Sequence, residues 1–471
     1  AVDAEVVKGS GQAGDIVLKN EYTTAELGEE GYYMNIDDQV IISSPTKQGS
    51  IYGGASITQI LYQSEERAAP KGLTRDYPQY EVRAGMIDVG RMYIPMEYLK
   101  EITIYMSYYK MNEAHIHIND YWSQSGYSAF RLESEVYPTI TATDGYYTKD
   151  EYRQYQKDMK AYGIDVITEI DTPYHAEAFR DIPGVVMWPG KSGYLDIRTD
   201  GAFNANAEIL ENLLDEYLDG EDPVIQSKYF HIGTDEYDKS AGEQMRKWTD
   251  HFAKYVNAKG YQSRAWASLG KNGFNGTTPV TSDIVMNLWA PYWADVQETY
   301  DAGYDVINTY GGWLYIVPAG NAGYPDRYDV KRLYEQFEVN NFKSGRNPSG
   351  EAIMPAAHPQ TKGAEFALWN DMTSFRTGFS WFDIFDRVKD AVSLVAEKTW
   401  YGEDDNGQTY EEFRSRIDAL QNKAPNTNPG RYVESDTELI AQYEFGEKGT
   451  AVKDSSANCY DAELTNAEAA D

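Results

Sequence analysis

Two adjacent carboxylates, Asp235 and Glu236, close the run His231-Ile232-Gly233-Thr234-Asp235-Glu236-Tyr237, directly after an apolar, strand-like stretch. Paired acids in such a place suit work on a glycosidic bond. One protonates the leaving oxygen, and a second negative centre stabilises an oxocarbenium-like transition state. Neighbours in sequence cannot stand on opposite faces of an anomeric carbon, as an acid and a protein nucleophile about 5 to 5.5 Å apart must. The two are therefore not an ordinary acid and nucleophile pair, and the attacking atom need not belong to the protein. Taken alone, the same residues also read as acids capping a helix N-terminus.

Other groups with chemistry to offer end further apolar runs: Asp88 and Arg91, Asn119 and Asp120, Asp171 and His175, Trp266, Trp289, Trp313 and Tyr315, and Trp369 and Asp371. Tryptophans stack on pyranose faces, while Arg, Asp and Asn bond hydroxyls in a pocket of mostly apolar lining, so this inventory suits a neutral sugar. Individually, Trp266 and Trp289 also read as core, Asp120 as a helix N-cap and His175 as a structural histidine. His115 and His117, two apart on a strand, face one side and could both ligate a metal. No third ligand is evident, and neither a metal nor a cofactor is expected.

These residues need a frame that brings eight chain segments to one mouth. The runs Met86-Ile87-Asp88-Val89, Ala114 to Ile118, Val166 to Ile170, Tyr229 to Ile232, Arg264 to Ala267, Ile284 to Leu288, Val306 to Asn308 and Phe366 to Leu368 are each followed by a stretch that reads as helix. Near-continuous apolar strands alternating with helices predict parallel β-α units, and eight in series predict a closed (β/α)8 barrel over residues 83–425. The catalytic candidates then lie at the C-terminal ends of its strands. Ile209, Leu210, Leu213, Leu214, Tyr217 and Leu218 form one apolar helical stripe, and Thr148 with Glu151 has capping-box spacing. Residues 1–82 read as a small α/β domain, with strands at Ile16 to Leu18, Tyr33 to Ile36 and Val40 to Ile42, a helix beginning near Ser56, and a linker from Glu65 to Tyr80. Residues 426–471, with a strand-like Leu439 to Phe445, read as the opening of a further β-rich, lectin-like domain or as a strand returning to the N-terminal unit.

The chain has 471 residues, of which 14% are aromatic, and its 42 Lys and Arg against 75 Asp and Glu leave a formal charge of −33. Such a composition supports a packed core. So negative a field repels phosphate backbones, which argues against nucleic acid and for neutral ligands. The single cysteine, Cys459, excludes an intramolecular disulfide and paired-Cys zinc sites. No apolar stretch approaches the roughly 20 residues that span a bilayer. The first residue is Ala1 rather than Met, which leaves room for a removed signal, and an extracellular or cell-surface bacterial location is expected.

In their order along the chain the motifs resemble glycoside hydrolase family 20, the β-N-acetylhexosaminidase family, from about Tyr33 to Gly402. The matching stretches are Tyr52-Gly53-Gly54 with Thr58 to Leu61, Asp88-Val89-Gly90-Arg91, His115 to Asp120, Phe130 to Glu135, Glu169 to His175, Gly233 to Tyr237, Leu314-Tyr315-Ile316-Val317-Pro318 and Leu368 to Asp371. The Leu-Tyr-Ile-Val-Pro run is most similar to the branch containing dispersin and lacto-N-biosidase. The resemblance implies substrate-assisted retention, in which the sugar's own acetamido oxygen attacks the anomeric carbon to give an oxazolinium. It implies Asp235 as an ionised partner of the acetamido N–H, Glu236 as general acid and then base, and Tyr315 as the holder of the acetamido oxygen. Trp266, Trp289 and Trp369 would wall the sugar, with Trp313 at an outer subsite or only in a loop. Arg91 and Asp371 would bond hydroxyls, and Asp120 with His175 would orient Glu236. Asp371 and Thr234 depart from the common Glu and Gly of the family. Three outcomes stay open: a terminal GlcNAc or GalNAc hydrolase, an enzyme releasing lacto-N-biose or a modified GlcNAc, and a silent glycan-binding protein. The sequence does not predict an oligomeric state.

Overall fold

The computed structural model describes residues 6–122, 127–373, 379–403, 407–421, 423–424, 439–444 and 451–463. Eight parallel strands form its centre: β1 (Val82–Asp88), β2 (Glu113–His117), β3 (Asp165–Thr172), β4 (Tyr229–Gly233), β5 (Gln262–Trp266), β6 (Val285–Leu288), β7 (Asp305–Asn308) and β8 (Thr361–Leu368). Each pairs with the next, and β8 pairs with both β7 and β1, so the sheet closes into the predicted barrel. All eight runs read from the sequence fall on these strands.

Side chains alternate along a strand, and here the alternation separates two kinds of core. In β2, Ala114 and Ile116 belong to the large apolar core, while Glu113 and His115 reach across to Arg264 of β5 and Glu365 of β8. Part of the barrel interior is thus built from ion pairs, beside a small aliphatic cluster of Val82, Ala84 and Ile307. Helices Met96–Tyr108, Lys149–Ala161, Asp200–Leu218, Gly242–Ala258, Val296–Asp301, Val330–Gln336 and Trp381–Tyr401 follow the strands. All six residues of the stripe from Ile209 to Leu218 are buried. Thr148 accepts the Glu151 N–H at 3.1 Å, the hydroxyl half of the predicted capping box. One alternation expected from the sequence fails: residues 267–284 cross from β5 to β6 without a helix. A Cβ on Gly273 would sit 2.0 Å from the Ser268 oxygen and 2.2 Å from that of Trp293, so this segment is folded tightly under Trp293 instead.

The N-terminal residues form a four-stranded sheet ordered Ile16–Asn20, Val40–Ser44, Tyr32–Ile36, Gly72–Asp76. The last of these lies inside the segment read as a linker, which is corrected here: Gly72-Leu73-Thr74-Arg75-Asp76 is an edge strand with its side chains largely exposed, so it carries no apolar alternation. The helix also starts earlier than expected, at Lys47, with Thr46 capping Gly49 N. Its glycines hid it, and they are there for packing: a Cβ on Gly49 would meet the Gly31 oxygen at 2.3 Å and one on Gly53 would meet Ile42 at 2.4 Å. This unit is tied to the N-terminal end of the barrel by a Gln48 hydrogen bond to the Gly163 carbonyl (2.7 Å) and by the buried pair of Arg83 with Glu30 (2.7 Å).

Residues 428–471 form a separate compact unit. Its described part is a short antiparallel pair, Ala451–Val452 with Ala462–Glu463, and a turn in which the Asp454 carboxylate accepts N–H groups of Gln442, Ser456 and Tyr460. The strand expected at Leu439 to Phe445 is reduced, in its described residues, to a single bridge between Tyr443 and Asp454. Phe445 lies outside the described residues.

Candidate active site

The C-terminal ends of the strands converge as the barrel requires, and β4 runs directly into the acidic pair. The turn that follows it is left-handed at three residues: Gly233 (φ 67°), Thr234 (φ 77°) and Glu236 (φ 48°). For a β-branched residue such as Thr234 this region is a genuine outlier. The turn sends the two acids to different environments. Asp235 is 7% exposed, whereas the Glu236 side chain is 42% exposed at the mouth.

Behind Glu236 runs a chain of alternating carboxylates and imidazoles. His175 Nε2 lies 3.5 Å from Glu236, and its Nδ1 lies 2.7 Å from Asp120 Oδ1. Asp120 Oδ2 meets His117 Nε2 at 2.8 Å and Arg91 at 2.7 Å, and His117 Nδ1 meets Glu169 at 2.6 Å. Glu169 also accepts the Trp266 indole N–H at 2.5 Å and lies 3.1 Å from His115. Burial opposes charge on His117 and His175, but the facing carboxylates outweigh it and hold both well above the ordinary imidazole value. Burial likewise works against the Asp120 anion, and Arg91 with the two histidines reverses this, holding it below the usual carboxylate range. His231 ends the series differently: burial pushes it down to about 4, and its Nδ1 accepts the Gly233 N–H at 3.1 Å, so it is neutral.

Opposite this chain lies an aromatic well. Trp266, Trp289 and Tyr315 form one buried cluster with Met86, Ala290 and Ala367, and Trp369, Tyr292 and Tyr324 pack against it. Tyr315 is parallel to Trp289 (6°, 6.4 Å) and 4.9 Å from the Tyr324 ring. Burial, together with Asp235 and Glu236 nearby, keeps its hydroxyl a neutral donor well past pH 10. At the rim, the Arg91 guanidinium lies 5.7 Å from the Trp122 ring and 5.5 Å from the Trp369 ring and is held by Asp88 (3.0 Å) and Asp120, with Asp371 3.9 Å away. Around the well, Asp235 Oδ1, Arg91 Nε and the indole nitrogens of Trp289 and Trp369 are buried without a protein partner among the described residues. Buried polar atoms are rarely left so, and this set of one acceptor and three donors is what a sugar with hydroxyls and an acetamido group satisfies.

Ten of the eleven residues to which the resemblance gives a role therefore meet here. Trp313 does not: it sits in the helical turn Gly311–Leu314, packed on Phe337 (6.3 Å) with Arg332 over its ring (4.6 Å), away from the well. A second departure concerns Asp235, expected to stay ionised. Burial and the charge of Asp171 raise it well above the usual carboxylate range. Residues that sequence reasoning missed as site members are Glu169, Tyr292 and Tyr324. Glu169 was legible in principle, since it lies two before Asp171 on one strand and so faces the same way. Three donor groups come within 4.8 Å: His115–Glu169–His231, Asp88–His117–Asp120 and Asp171–His175–Asp235. In two of these groups a histidine, His117 or His175, is held well above the ordinary imidazole value by the carboxylates that face it. The third, His115–Glu169–His231, has His115 pushed up to about 9.

The tightness of the turn yields an expectation. A Cβ on Gly233 would lie 1.7 Å from Asp171 Oδ1. Gly233→Ala adds that clash to a left-handed penalty of about 1–2 kcal/mol. It should lower kcat/KM at least tenfold and lower the midpoint of thermal unfolding.

The catalytic-domain model of glycosyl hydrolase family 20 matches residues 80–403, and the model of that family's domain 2 matches residues 2–77. The chain belongs to glycosyl hydrolase family 20. Among its relatives, the lacto-N-biosidase of Bifidobacterium bifidum is 25% identical over 89% of this chain, which spans only 37% of that protein. The beta-hexosaminidase subunit alpha of Rattus norvegicus is 26% identical over 82% of this chain and 75% of its own length. The solved beta-N-acetylhexosaminidase of Bacteroides fragilis shares this family 20 fold with a TM-score of 0.69 at 20% identity, covering 88% of this chain and 84% of that one. An exo beta-N-acetylglucosaminidase of Vibrio harveyi, solved in complex with N-acetylglucosamine, gives 0.65 at 18% identity, over 86% and 67%.

Proposed function

We propose that this chain is a retaining hydrolase of terminal β-linked N-acetylhexosamine, working through an oxazolinium formed by the substrate's own acetamido group. The observation that carries this is the split of two adjacent acids by one turn. Glu236 stands at the mouth, backed by a cationic His175, where a leaving oxygen would need its proton. Asp235 lies at the floor of the aromatic well with an unpartnered oxygen, near the phenol of Tyr315. The two phenolic and carboxylic groups would hold an acetamido group by its oxygen and its N–H, in line with the anomeric carbon. Trp266, Trp289 and Trp369 would enclose the methyl group and sugar face, and Arg91 with Asp371 would bond the hydroxyls most distant from the break. Secretion or display at a bacterial surface fits glycans as substrates.

A hydrolase that releases lacto-N-biose is the second reading, favoured by the match to the Bifidobacterium bifidum lacto-N-biosidase along 89% of this chain and by Asp371. Asp371 leaves its carboxylate 3.9 Å from Arg91. Parallel assays of aryl β-GlcNAc, β-GalNAc and β-lacto-N-bioside separate the two. The shared mechanism is tested by an aryl β-glucoside and by fluorinated N-acyl analogues. Rates should fall with each fluorine, because the acyl oxygen becomes a weaker nucleophile. A glucoside hydrolysed as fast as the acetamido sugar would overturn the proposal.

A further inference from the structure

Asp171, at the end of β3, has no task in the chemistry proposed above, yet it organises the turn that performs it. Its Oδ1 accepts the Thr234 N–H at 3.1 Å and occupies the place a Cβ of Gly233 would take. The left-handed residues Gly233 and Thr234 are thereby pinned from one side. Asp171 is itself fixed, since its N–H donates to Asn119 Oδ1 and its carbonyl accepts from Asn119 Nδ2, both at 2.9 Å. A carboxylate oxygen of Asp171, one of Asp235 and a nitrogen of His175 all lie within 4.8 Å of one another.

We propose that Asp171 is a positioning residue for Asp235: it holds the turn that aims Asp235 and shares a single proton with it, so that the two carboxyls ionise as a unit. The proposal rests on Asp235 being the anion that meets the acetamido group. Two carboxylates this close in a buried site resist being charged together, and their protons come off in steps that belong to the pair. The groups facing them are Glu169 and His175 from β3 and its loop, His117 and Asp120 from β2 and its loop, Glu236 on the turn, and the Tyr315 phenol. Burial pushes Asp171 up to about 7, Glu169 and Asp120 add to the rise, and His175 and His117 oppose it. Burial also raises Asp235, and Asp171 is the next cause. When an acetamido N–H donates to Asp235, it favours the anion there, and the shared proton passes to Asp171. No proton leaves or enters the site in that step.

The test is the acid limb of kcat/KM against pH for an aryl β-N-acetylglucosaminide, in the wild type and in Asp171→Asn. The amide keeps an oxygen for the Thr234 N–H but cannot share a proton as a carboxyl does, and a shared proton is what sets the pair's first ionisation below that of a lone carboxyl, so Asp235 should ionise at higher pH. The limb should move about one pH unit or more toward neutral, whatever the height of the plateau. A purely structural role lowers the plateau and leaves the limb in place, and that result overturns the proposal. Should Asp171→Asn not fold, infrared difference spectra of Glu236→Gln, which lacks the acid's carboxyl, decide the matter. A protonated carboxyl band that persists at pH values above the wild-type acid limb supports the proposal, and its absence refutes it. Failure of the underlying mechanism shows separately, as hydrolysis of the aryl β-glucoside at an undiminished rate.

Discussion

Glu236→Gln should lower kcat for glycans with alkoxide leaving groups by roughly a thousandfold, within the usual range for loss of a general acid. The expected loss depends on the leaving group. An aryl oxide needs little help from a proton, so kcat/KM for an activated aryl substrate, which reports formation of the intermediate, should fall far less. Its kcat should still fall, because Glu236 is also the base for the water that opens the oxazolinium, and a burst of aryl alcohol should then precede slow turnover. The mouth position of Glu236, with His175 3.5 Å behind it and the remaining face open, allows one carboxyl both tasks. Equal losses for the alkyl and aryl substrates would show that Glu236 does not protonate the leaving oxygen.

The barrel was legible because its strands are covered on both faces. Outward positions such as Ala114 and Ile116 must be apolar to meet the helices, and the resulting runs are bounded by loops. The same runs already contained the site's inner charges as interruptions, His115 and His117 in β2 and Glu169 in β3, each at an alternate position. Attention to strand ends found Asp120, His175 and the acidic pair but passed over Glu169, because a buried carboxylate in mid-strand announces itself only through partners on other strands: His115, His117 and Trp266. Trp313, for which the sequence left an outer subsite or only a loop open, is placed by local geometry. It lies two before Tyr315, and on an extended segment the two would share a face, but Gly311–Leu314 is a helical turn, which rotates Trp313 away. Tyr324 sits on a loop with no periodicity, and only its contact with Tyr315 reveals it. The edge strand Gly72–Asp76 was hidden because its exposed faces bury nothing, so hydropathy carries no trace of it.

The interior ion pairs also explain how so many charges coexist beside the site. Carboxylates and cations alternate: Glu169 with His115 and His117, Asp120 with His117, His175 and Arg91. Each anion there has a cation at hydrogen-bond range, which offsets the cost of removing it from water. Asp171 and Asp235 are less well compensated, with His175 as the cation in their group. Burial raises both, with Glu169 and Asp120 adding to the rise of Asp171 and Asp171 adding to that of Asp235. A substrate that brings an N–H donor and then a positive charge to Asp235 supplies what the protein alone withholds.

Asp235→Asn tests that last step. The amide has nearly the same shape, and its oxygen can still accept the acetamido N–H, so binding of the sugar should change little. What disappears is the negative charge facing the oxazolinium as it forms. A preorganised group aimed at developing charge in a water-poor site is worth about 3 to 4 kcal/mol, or roughly 10² to 10³ in kcat. The loss should appear in kcat more than in KM, because the charge develops only on the way to the transition state. It should also grow for substrates whose leaving groups are poor, since there the cation is more fully formed. With Asn at this position Asp171 loses its partner in ionisation, so the residual activity should lack the wild-type acid limb. Wild-type turnover in Asp235→Asn would mean that the positive intermediate needs no counter-charge from the protein, and then neither the split of the acidic pair nor the burial of Asp235 would have a part in the chemistry.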